Sequence, residues 1–144
     1  LGWGQQEAKT KDANIFYVKS VPHDWLFPHM AGAVHHGGAG TTATSLRHAL
    51  PTLVVPFGGD QPFWAERVYA AGCGPKAIPR DKLTAENLAE GLRALISNPE
   101  YTRNAACIGE ALRNEHGCAN AADLIEKAVW DWENGNPAQD GMNI

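Results

Sequence analysis

The sequence predicts an α/β fold, a Rossmann-like parallel sheet with helices on both faces. Segments rich in β-branched and aromatic residues alternate with segments of helical pattern. Such alternation is typical of a parallel sheet with right-handed crossovers. The stretch Thr52–Val55 is a continuous buried-type run, as expected of a parallel strand that is covered on both faces. The predicted order is loop-β-α-β-α-β-α-β-α-α-α, and the sheet is expected to be incomplete.

Four strands are predicted, at residues 14–18, 32–35, 52–55 and 76–78. The first, Asn14–Val18, is β-branched and aromatic and is predicted to be a buried strand. Between the first two strands we expect a short helix over Trp25–His29. Asp24 suits its N-cap, and Pro28 limits its length.

Five longer helices are predicted from helical periodicity, at residues 41–50, 62–71, 83–96, 100–115 and 119–132. Pro51 stops the first of them, and Gly72 and Gly74 end the second. Thr84 is expected to be the N-cap of the third. Residues 1–13 are predicted to be a loop, and residues 133–144 a flexible polar tail.

Composition restricts the class of protein. The 144 residues suffice for one domain with a core, and 44% hydrophobic with 19% charged residues is ordinary for a globular protein. A net charge of −4, without a run of Lys or Arg, gives no basis for nucleic-acid binding. No apolar run is long enough to span a membrane, and the chain does not open with a signal-peptide pattern.

The cysteines indicate a reducing compartment. Cys73, Cys107 and Cys118 are widely spaced, and they form no C-x-x-C pattern. Their Ala, Gly and Ile surroundings predict small core-filling roles. We therefore expect a cytoplasmic protein, peripheral to membranes only through regions outside this chain.

The stretch Val34–Thr44 organises the chain. It consists of the end of a strand, a glycine-rich turn and the start of a helix. Such a turn aims unpaired backbone N–H groups outward, with the positive end of the helix dipole behind them, so a phosphate is its expected occupant. The imidazole of His36 is expected to reach this phosphate. The backbone N–H groups of the turn and helix start, and the hydroxyl groups of its two threonines, are expected to reach it as well. These residues are Gly38, Ala39, Gly40, Thr41 and Thr42.

The spacing of the glycines excludes the two common phosphate motifs. There is no G-x-G-x-x-G and no G-x-x-x-x-G-K-[ST], so neither a dinucleotide fingerprint nor an ATPase loop is predicted. The alternative is a tight turn that binds nothing. The paired histidines and threonines favour phosphate binding. His35 must face away from His36 on the strand, so a structural role is predicted for it.

Asp60 and Gln61 follow the third predicted strand and supply a carboxylate and an amide side by side. Such a pair suits vicinal sugar hydroxyls. The equally weighted alternative is that Asp60 caps the next helix. Trp64 is expected to pack in the core, and Trp25 either in the core or at the rim of a cleft.

Ligands of parallel sheets bind at the carboxyl ends of the strands. The three loops that carry the residues named above, 20–24, 36–42 and 57–61, all lie at such ends and are expected to line one cleft. A metal site is not predicted, because His29, His35 and His36 lack a carboxylate at ligand spacing. A serine hydrolase is not predicted either, because Ser45 does not lie in G-x-S-x-G.

Four ordered blocks together resemble the nucleotide-sugar signature of family-1 glycosyltransferases, in particular sterol 3-beta-glucosyltransferases. The blocks are Val21–Phe27, His35–Thr42, Pro51–Thr52 and Pro56–Trp64, within a resemblance that spans about residues 14–120. The family implies a GT-B fold, in which the C-terminal domain holds UDP-glucose. It also implies inverting, metal-independent transfer of glucose to the hydroxyl of a sterol or other lipophilic acceptor. An N-terminal domain then binds this acceptor and provides the catalytic base.

The resemblance also implies a role for each site residue. His36 would contact the diphosphate, and the turn Gly38–Thr42 would hold the phosphates. Asp60 and Gln61 would hydrogen-bond the glucose hydroxyls. The loop Val21–His23 would lie against the uracil. No metal and no prosthetic group are expected, since a helix N-terminus and a histidine can stabilise the leaving UDP.

The chain also departs from the family pattern. Thr44 occupies the position where plant signatures carry a glutamate for the ribose hydroxyls. We expect residues 1–132 to be a partial C-terminal domain without catalytic residues, inactive alone because the acceptor domain is absent. An incomplete sheet would leave an unpaired edge that favours self-association. The alternative is a non-catalytic nucleotide-binding or interaction module of the same fold.

Overall fold

A computed structural model describes residues 12–18 and 20–135. Its sheet consists of two parallel strands, β1 (Ala33–His35) and β2 (Thr52–Val54). The register pairs Ala33 with Thr52 and His35 with Val54. The predicted strands at 32–35 and 52–55 are thus confirmed, each one residue shorter than expected.

Helices occupy most of the remaining described chain. A four-residue helix, α1 (His23–Leu26), runs into a 3₁₀ turn over Phe27–His29, and a second 3₁₀ turn covers Arg80–Lys82. The longer helices are α2 (Ala39–Arg47), α3 (Gln61–Ala70), α4 (Ala85–Ser97), α5 (Pro99–Asn114) and α6 (Gly117–Glu133). One compact unit ends at Leu112 and a second begins at Arg113.

The start of α4 confirms one cap prediction, and the start of α1 corrects another. The hydroxyl of Thr84 accepts a hydrogen bond from the Asn87 amide at 3.2 Å, and Asn87 Oδ1 accepts from the Thr84 amide at 2.9 Å. This pair is a reciprocal capping box. Asp24 is not an N-cap, because α1 begins one residue earlier at His23, which follows Pro22.

The predicted buried strand at 14–18 is wrong. These residues form no strand, and the side chains of Ile15, Phe16 and Tyr17 are exposed, Phe16 at 91%. The backbone N–H and C=O groups of a strand form hydrogen bonds with a neighbouring strand. Among the described residues, β1 and β2 pair only with each other. The residue types for a strand are therefore present here without a partner strand.

The predicted fourth strand at 76–78 is not a regular strand, although this segment runs alongside β2 and is hydrogen-bonded to it. The amide of Ile78 donates to the Val54 carbonyl at 3.0 Å, and that of Arg80 donates to the Pro56 carbonyl at 3.1 Å. The amide of Thr52 donates to the Cys73 carbonyl at 2.8 Å. This segment therefore covers the edge of β2 that β1 leaves open.

Helices pack against both faces of β2, which confirms the predicted α/β layering. On one face, Val54 joins a core with residues of α2, α3, α5 and the loop after α3, namely Leu46, Ala65, Val68, Cys73 and Ala105. On the other face, Leu53 lies against α4, where a Cβ at Gly91 would come within 2.8 Å of it. Leu53 and Val54 are accordingly almost fully buried.

The core-filling role predicted for the cysteines holds for only one of them. Cys73 is buried, and burial, with a smaller effect of Cys107, raises the pKa of its thiol to about 11. Cys107 and Cys118 are exposed. On α5 the buried positions are Ala105 and Gly109, and Cys107 lies between them, on the opposite side of the helix.

Gly74→Ala is expected to lower the free energy of unfolding by roughly 3 kcal/mol. The added Cβ would overlap the carbonyl oxygen of Thr52, and the hydrogen bond from Thr52 to Cys73 keeps the two backbones together. Urea denaturation measures the change. Gly58→Ala is the matched control, because a Cβ at Gly58 would meet no atom within 4 Å. Equal losses in the two variants would contradict the packing argument.

Candidate functional site

The glycine-rich turn between β1 and α2 is packed tightly against the two neighbouring elements. Gly37 has φ of +88°, a conformation that side chains disfavour. A Cβ at Gly37 would lie 2.5 Å from Val54 Cγ1 and 3.2 Å from the backbone carbonyl oxygen of Gln61. The absence of a side chain therefore lets the turn lie against the end of β2 and the start of α3, so two of the three predicted loops meet here.

The N-terminus of α2 is open to an anion. Its N-cap, Gly38, has extended backbone, and no side chain of the described residues caps this end. The first intrahelical bond runs from the Thr42 amide to the Gly38 carbonyl at 2.9 Å. The N–H groups of the first three residues therefore have no acceptor within the helix, and Ala39 and Gly40 are exposed. These groups and the helix dipole form a site for negative charge.

The imidazole of His36 lies over this helix end. His36 is exposed, and a Cβ at Gly38 would overlap its Nε2 atom. The ring therefore occupies the space that a side chain at Gly38 would need. This position allows His36 to add a side-chain donor beside the backbone N–H groups.

His35 makes a hydrogen bond to the backbone of the glycine-rich turn. Its Nδ1 accepts a hydrogen bond from the Gly37 amide at 2.9 Å. Its Nε2 is buried and has no partner among the described residues. Burial, followed by the charges of His36 and His23, lowers the pKa of His35 to about 4. The ring is therefore neutral near pH 7, and its proton is on Nε2 because Nδ1 is an acceptor. The structural role expected for His35 agrees with this bond.

The two threonines of the turn differ in exposure. Thr41 is half-buried, whereas Thr42 is 3% exposed and its Oγ1 is buried without a hydrogen-bond partner among the described residues. The expected direct donation from the Thr42 hydroxyl to a phosphate is therefore not supported in this conformation. Thr44 lies where the plant signatures of the resembled family carry a glutamate. Its hydroxyl donates to the Gly40 carbonyl at 2.8 Å, so this hydroxyl is engaged within α2.

Asp60 does not cap α3, which resolves one of the two alternatives left by the sequence. It occupies the N-cap position with φ of −80° and ψ of −5°, and its side chain makes no cap hydrogen bond. Instead, Oδ2 accepts from Trp64 Nε1 at 2.8 Å. Trp64 is half-buried rather than in the core. The spacing of an acceptor and an indole donor at i and i+4 on one helix is the sequence signal for this bond.

Gln61 closes the loop after β2. Its Oε1 accepts from the Phe57 amide at 2.7 Å and from the Gly58 amide at 3.2 Å. The carbonyl oxygen is thus used inside the loop, and the amide group remains as the donor of this side chain. Asp60 and Gln61 therefore present an acceptor and a donor beside each other, on a loop held by its own hydrogen bonds.

The segment around His23 is held near the site through α2. Its ring stacks on the buried Phe27 with centroids 4.6 Å apart, and Phe27 meets the edge of His48 at 5.9 Å. His48 Nδ1 lies 2.9 Å from the Thr44 carbonyl on α2. After burial and His36, His23 makes the smallest contribution to the lowered pKa of His35. Val21 is half-buried, and Trp25 is 62% exposed.

Within residues 12–18 and 20–135, no group of three or more His, Cys, Asp or Glu side chains is arranged to hold a metal ion. Neither does any helix of this part of the chain combine the length and the apolar content required to cross a membrane.

Comparison with known proteins identifies the kind of domain. A family profile described as erythromycin biosynthesis protein CIII-like, C-terminal domain, matches residues 5–126. A sterol 3-beta-glucosyltransferase of Arabidopsis thaliana is 44% identical over 128 residues, which are 88% of this chain and 21% of that protein. A sterol 3-beta-glucosyltransferase of Pichia angusta is 43% identical over 111 residues, 77% of this chain and 9% of that protein. The chain thus spans about a fifth or less of these relatives.

Solved structures confirm the fold class. The glycosyltransferase VinC, solved in complex with DTDP, matches 71% of this chain and 26% of its own, with a TM-score of 0.67 and 33% identity. The spinosyn forosaminyltransferase SpnP matches 86% of this chain and 33% of its own, with a TM-score of 0.78 and 23% identity. The second likeness shows the fold alone. Together with the family profile, these matches confirm the resemblance to glycosyltransferase C-terminal domains.

Lowering the pH is expected to destabilise the wild-type chain more than the variant His35→Asn. The folded ring gains its proton near pH 4 and the unfolded one near pH 6.5, so the unfolded state binds more protons in between. The contribution of the neutral His35 ring to the free energy of unfolding is therefore complete above about pH 6.5 and is lost as the pH falls toward 4. Between pH 7.5 and 4.5 the extra loss should be about 2–3 kcal/mol, measured by urea denaturation. Equal losses in the two proteins would contradict this assignment.

Proposed function

Because the chain belongs to the family of erythromycin biosynthesis protein CIII-like C-terminal domains, which are glycosyltransferase domains, we propose that it binds the donor UDP-glucose. The proposed reaction is inverting transfer of glucose to the hydroxyl of a sterol or other lipophilic acceptor. The observation that carries the proposal is the open N-terminus of α2 with His36 over it, adjacent to Asp60 and Gln61. A nucleotide sugar needs one site for a diphosphate and one for hydroxyls, and these two groups of residues provide them.

The diphosphate lies, in this proposal, at the start of α2. The three N–H groups without helical acceptors, at residues 39–41, face it together with the His36 imidazole. As the bond to glucose breaks, negative charge grows on the leaving UDP. Donors already oriented toward that charge stabilise the transition state more than the ground state, which is the requirement for catalysis.

The glucose lies, in this proposal, beside the loop after β2. Asp60 accepts from Trp64 through Oδ2, and its other oxygen can accept from a sugar hydroxyl. The Gln61 amide can donate to a neighbouring hydroxyl, because its carbonyl is held by Phe57 and Gly58. Vicinal hydroxyls both donate and accept, so the two side chains suit the same sugar edge.

The uracil is proposed to lie beside the start of α1, and the acceptor outside this chain. We propose that Val21 and His23 lie against the uracil, since His23 packs through Phe27 and His48 against the end of α2. The hydroxyl of Thr44 is bonded within α2, so the ribose is expected to find other partners. The acceptor and the base that deprotonates it are proposed to belong to other parts of a longer protein. This chain alone is therefore expected to bind the donor without transferring glucose.

His36→Ala is expected to weaken UDP and UDP-glucose alike. Both ligands carry the diphosphate, and a hydrogen bond to a charged group contributes about 1.5–3 kcal/mol, or roughly 10- to 150-fold in affinity. Calorimetric titration of the purified chain with each ligand measures this loss. His29→Ala is the control, because His29 is an exposed histidine outside the turn. Unchanged affinity in His36→Ala would contradict the diphosphate role.

Asp60→Ala and Trp64→Phe are expected to weaken UDP-glucose without weakening UDP. Asp60→Ala removes the sugar acceptor, whereas Trp64→Phe keeps an aromatic side chain and removes the N–H that holds Oδ2, together with part of the indole. The second loss should be the smaller one, roughly two- to tenfold. The same titrations measure both, with Asp81→Ala as an exposed carboxylate control. A wild-type chain that binds UDP but gains nothing from glucose would instead favour a non-catalytic nucleotide-binding module.

A further inference from the structure

We propose that His35 is a positioning residue of this site. Its imidazole holds the Gly37 turn in the one conformation that aims His36 and the α2 N–H groups at the diphosphate. The proposal rests on the proposed function for the identity of the ligand. The geometry that it invokes belongs to the chain itself, so it can be tested with and without nucleotide.

The first support is the place of His35 in the sheet. His35 is paired in register with Val54, and its carbonyl accepts from the Val55 amide at 2.8 Å. The base of the side chain is therefore fixed by the β1–β2 ladder. From this position the ring reaches two residues ahead, and its Nδ1 accepts from the Gly37 amide at 2.9 Å.

The second support is the conformation that this bond holds. Glycine adopts φ of +88° as readily as negative values, so Gly37 by itself does not select the turn. Val54 and the carbonyl of Gln61 crowd the site where a Cβ would be, and the His35 ring engages the amide. Gly37 is buried, so without His35 its N–H would lack an acceptor and the turn would gain other conformations.

The third support is the direction of the remaining N–H groups. The bond to His35 turns the Gly37 amide inward, whereas those of Ala39, Gly40 and Thr41 stay outside the helix ladder. The turn therefore divides its donors between the protein and the ligand site. A different φ at Gly37 would move Gly38 and, with it, the space under the His36 ring.

The fourth support is the protonation of the ring. Only an imidazole without a proton on Nδ1 can accept from Gly37, and burial, followed by the charges of His36 and His23, lowers the pKa of His35 to about 4. The acceptor form is thus present at neutral pH. The proton remains on Nε2, which is buried and unpartnered among the described residues, so His35 itself does not reach the ligand.

The experiment compares His35→Asn with His35→Gln in the same chain. The Oδ1 of asparagine lies near the position of Nδ1 and can accept from Gly37, whereas the longer glutamine places its oxygen near the position of Nε2. Hydrogen exchange of the Gly37 amide, followed by NMR without ligand, reports the bond. Calorimetric titration with UDP reports the site, and circular dichroism confirms that each variant is folded.

We expect His35→Asn to keep the protection of the Gly37 amide and the UDP affinity within about threefold. His35→Gln should lose the protection and bind UDP about tenfold more weakly, which is the effect of one hydrogen bond. Equal behaviour of the two folded variants, or protection that persists in His35→Gln, would overturn the positioning role. If His35→Gln does not fold, His35→Ser takes its place. The positioning role is then supported if His35→Asn keeps the protection of the Gly37 amide and the UDP affinity while His35→Ser loses both. Equal behaviour of His35→Asn and His35→Ser would overturn it.

The two proposals fail in different ways. A wild-type chain that shows the expected protection at Gly37 but binds no UDP would overturn the proposed function and leave the bond from His35 to the turn supported. A wild-type chain that binds UDP, and binds it equally well in His35→Asn and His35→Gln, would support the function and overturn the positioning role.

Discussion

The parallel pairing of β1 with β2 is the constraint on which the candidate site depends. Its register sets His35 beside Val54, so the two strands end at the same level and the loops that follow them start side by side. Gly37 then turns over Val54 and against Gln61, where only a hydrogen atom fits. A shift of the register by one residue would turn His35 to the other face and separate the two loops.

Two consecutive histidines differ in exposure although their rings lie edge to face with centroids 6.3 Å apart, His35 ending β1 and His36 lying just beyond it. The first, His35, is half-buried and neutral and bonds to the backbone of the turn. The second, His36, is exposed and lies over the start of α2. The positive end of the helix therefore meets the exposed imidazole of His36, while the neutral ring of His35 adds no charge to the turn. Such a division suits a site for an anion.

The loop after β2 is held by hydrogen bonds among its own residues. The carbonyl oxygen of Gln61 binds two amides of its own loop, and Trp64 orients the carboxylate of Asp60. Side chains that are already oriented lose less conformational freedom on binding, so more of their interaction energy contributes to affinity. A cap role for Asp60 would have used the same carboxylate inside the protein, and the structure does not adopt it.

The sequence by itself determined the features that are encoded within a few neighbouring residues. Strand and helix alternation, the covered strand predicted at 52–55, the N-cap role of Thr84 and the glycine turn before α2 all follow from local periodicity and turn chemistry. Tertiary structure decided whatever depends on a distant partner. Asn14–Val18 has a strand pattern but no neighbouring strand among the described residues, and the Thr42 hydroxyl is buried in the folded chain. Local pattern states what a segment can form, whereas contacts between segments select which of its side chains remain free to bind a ligand.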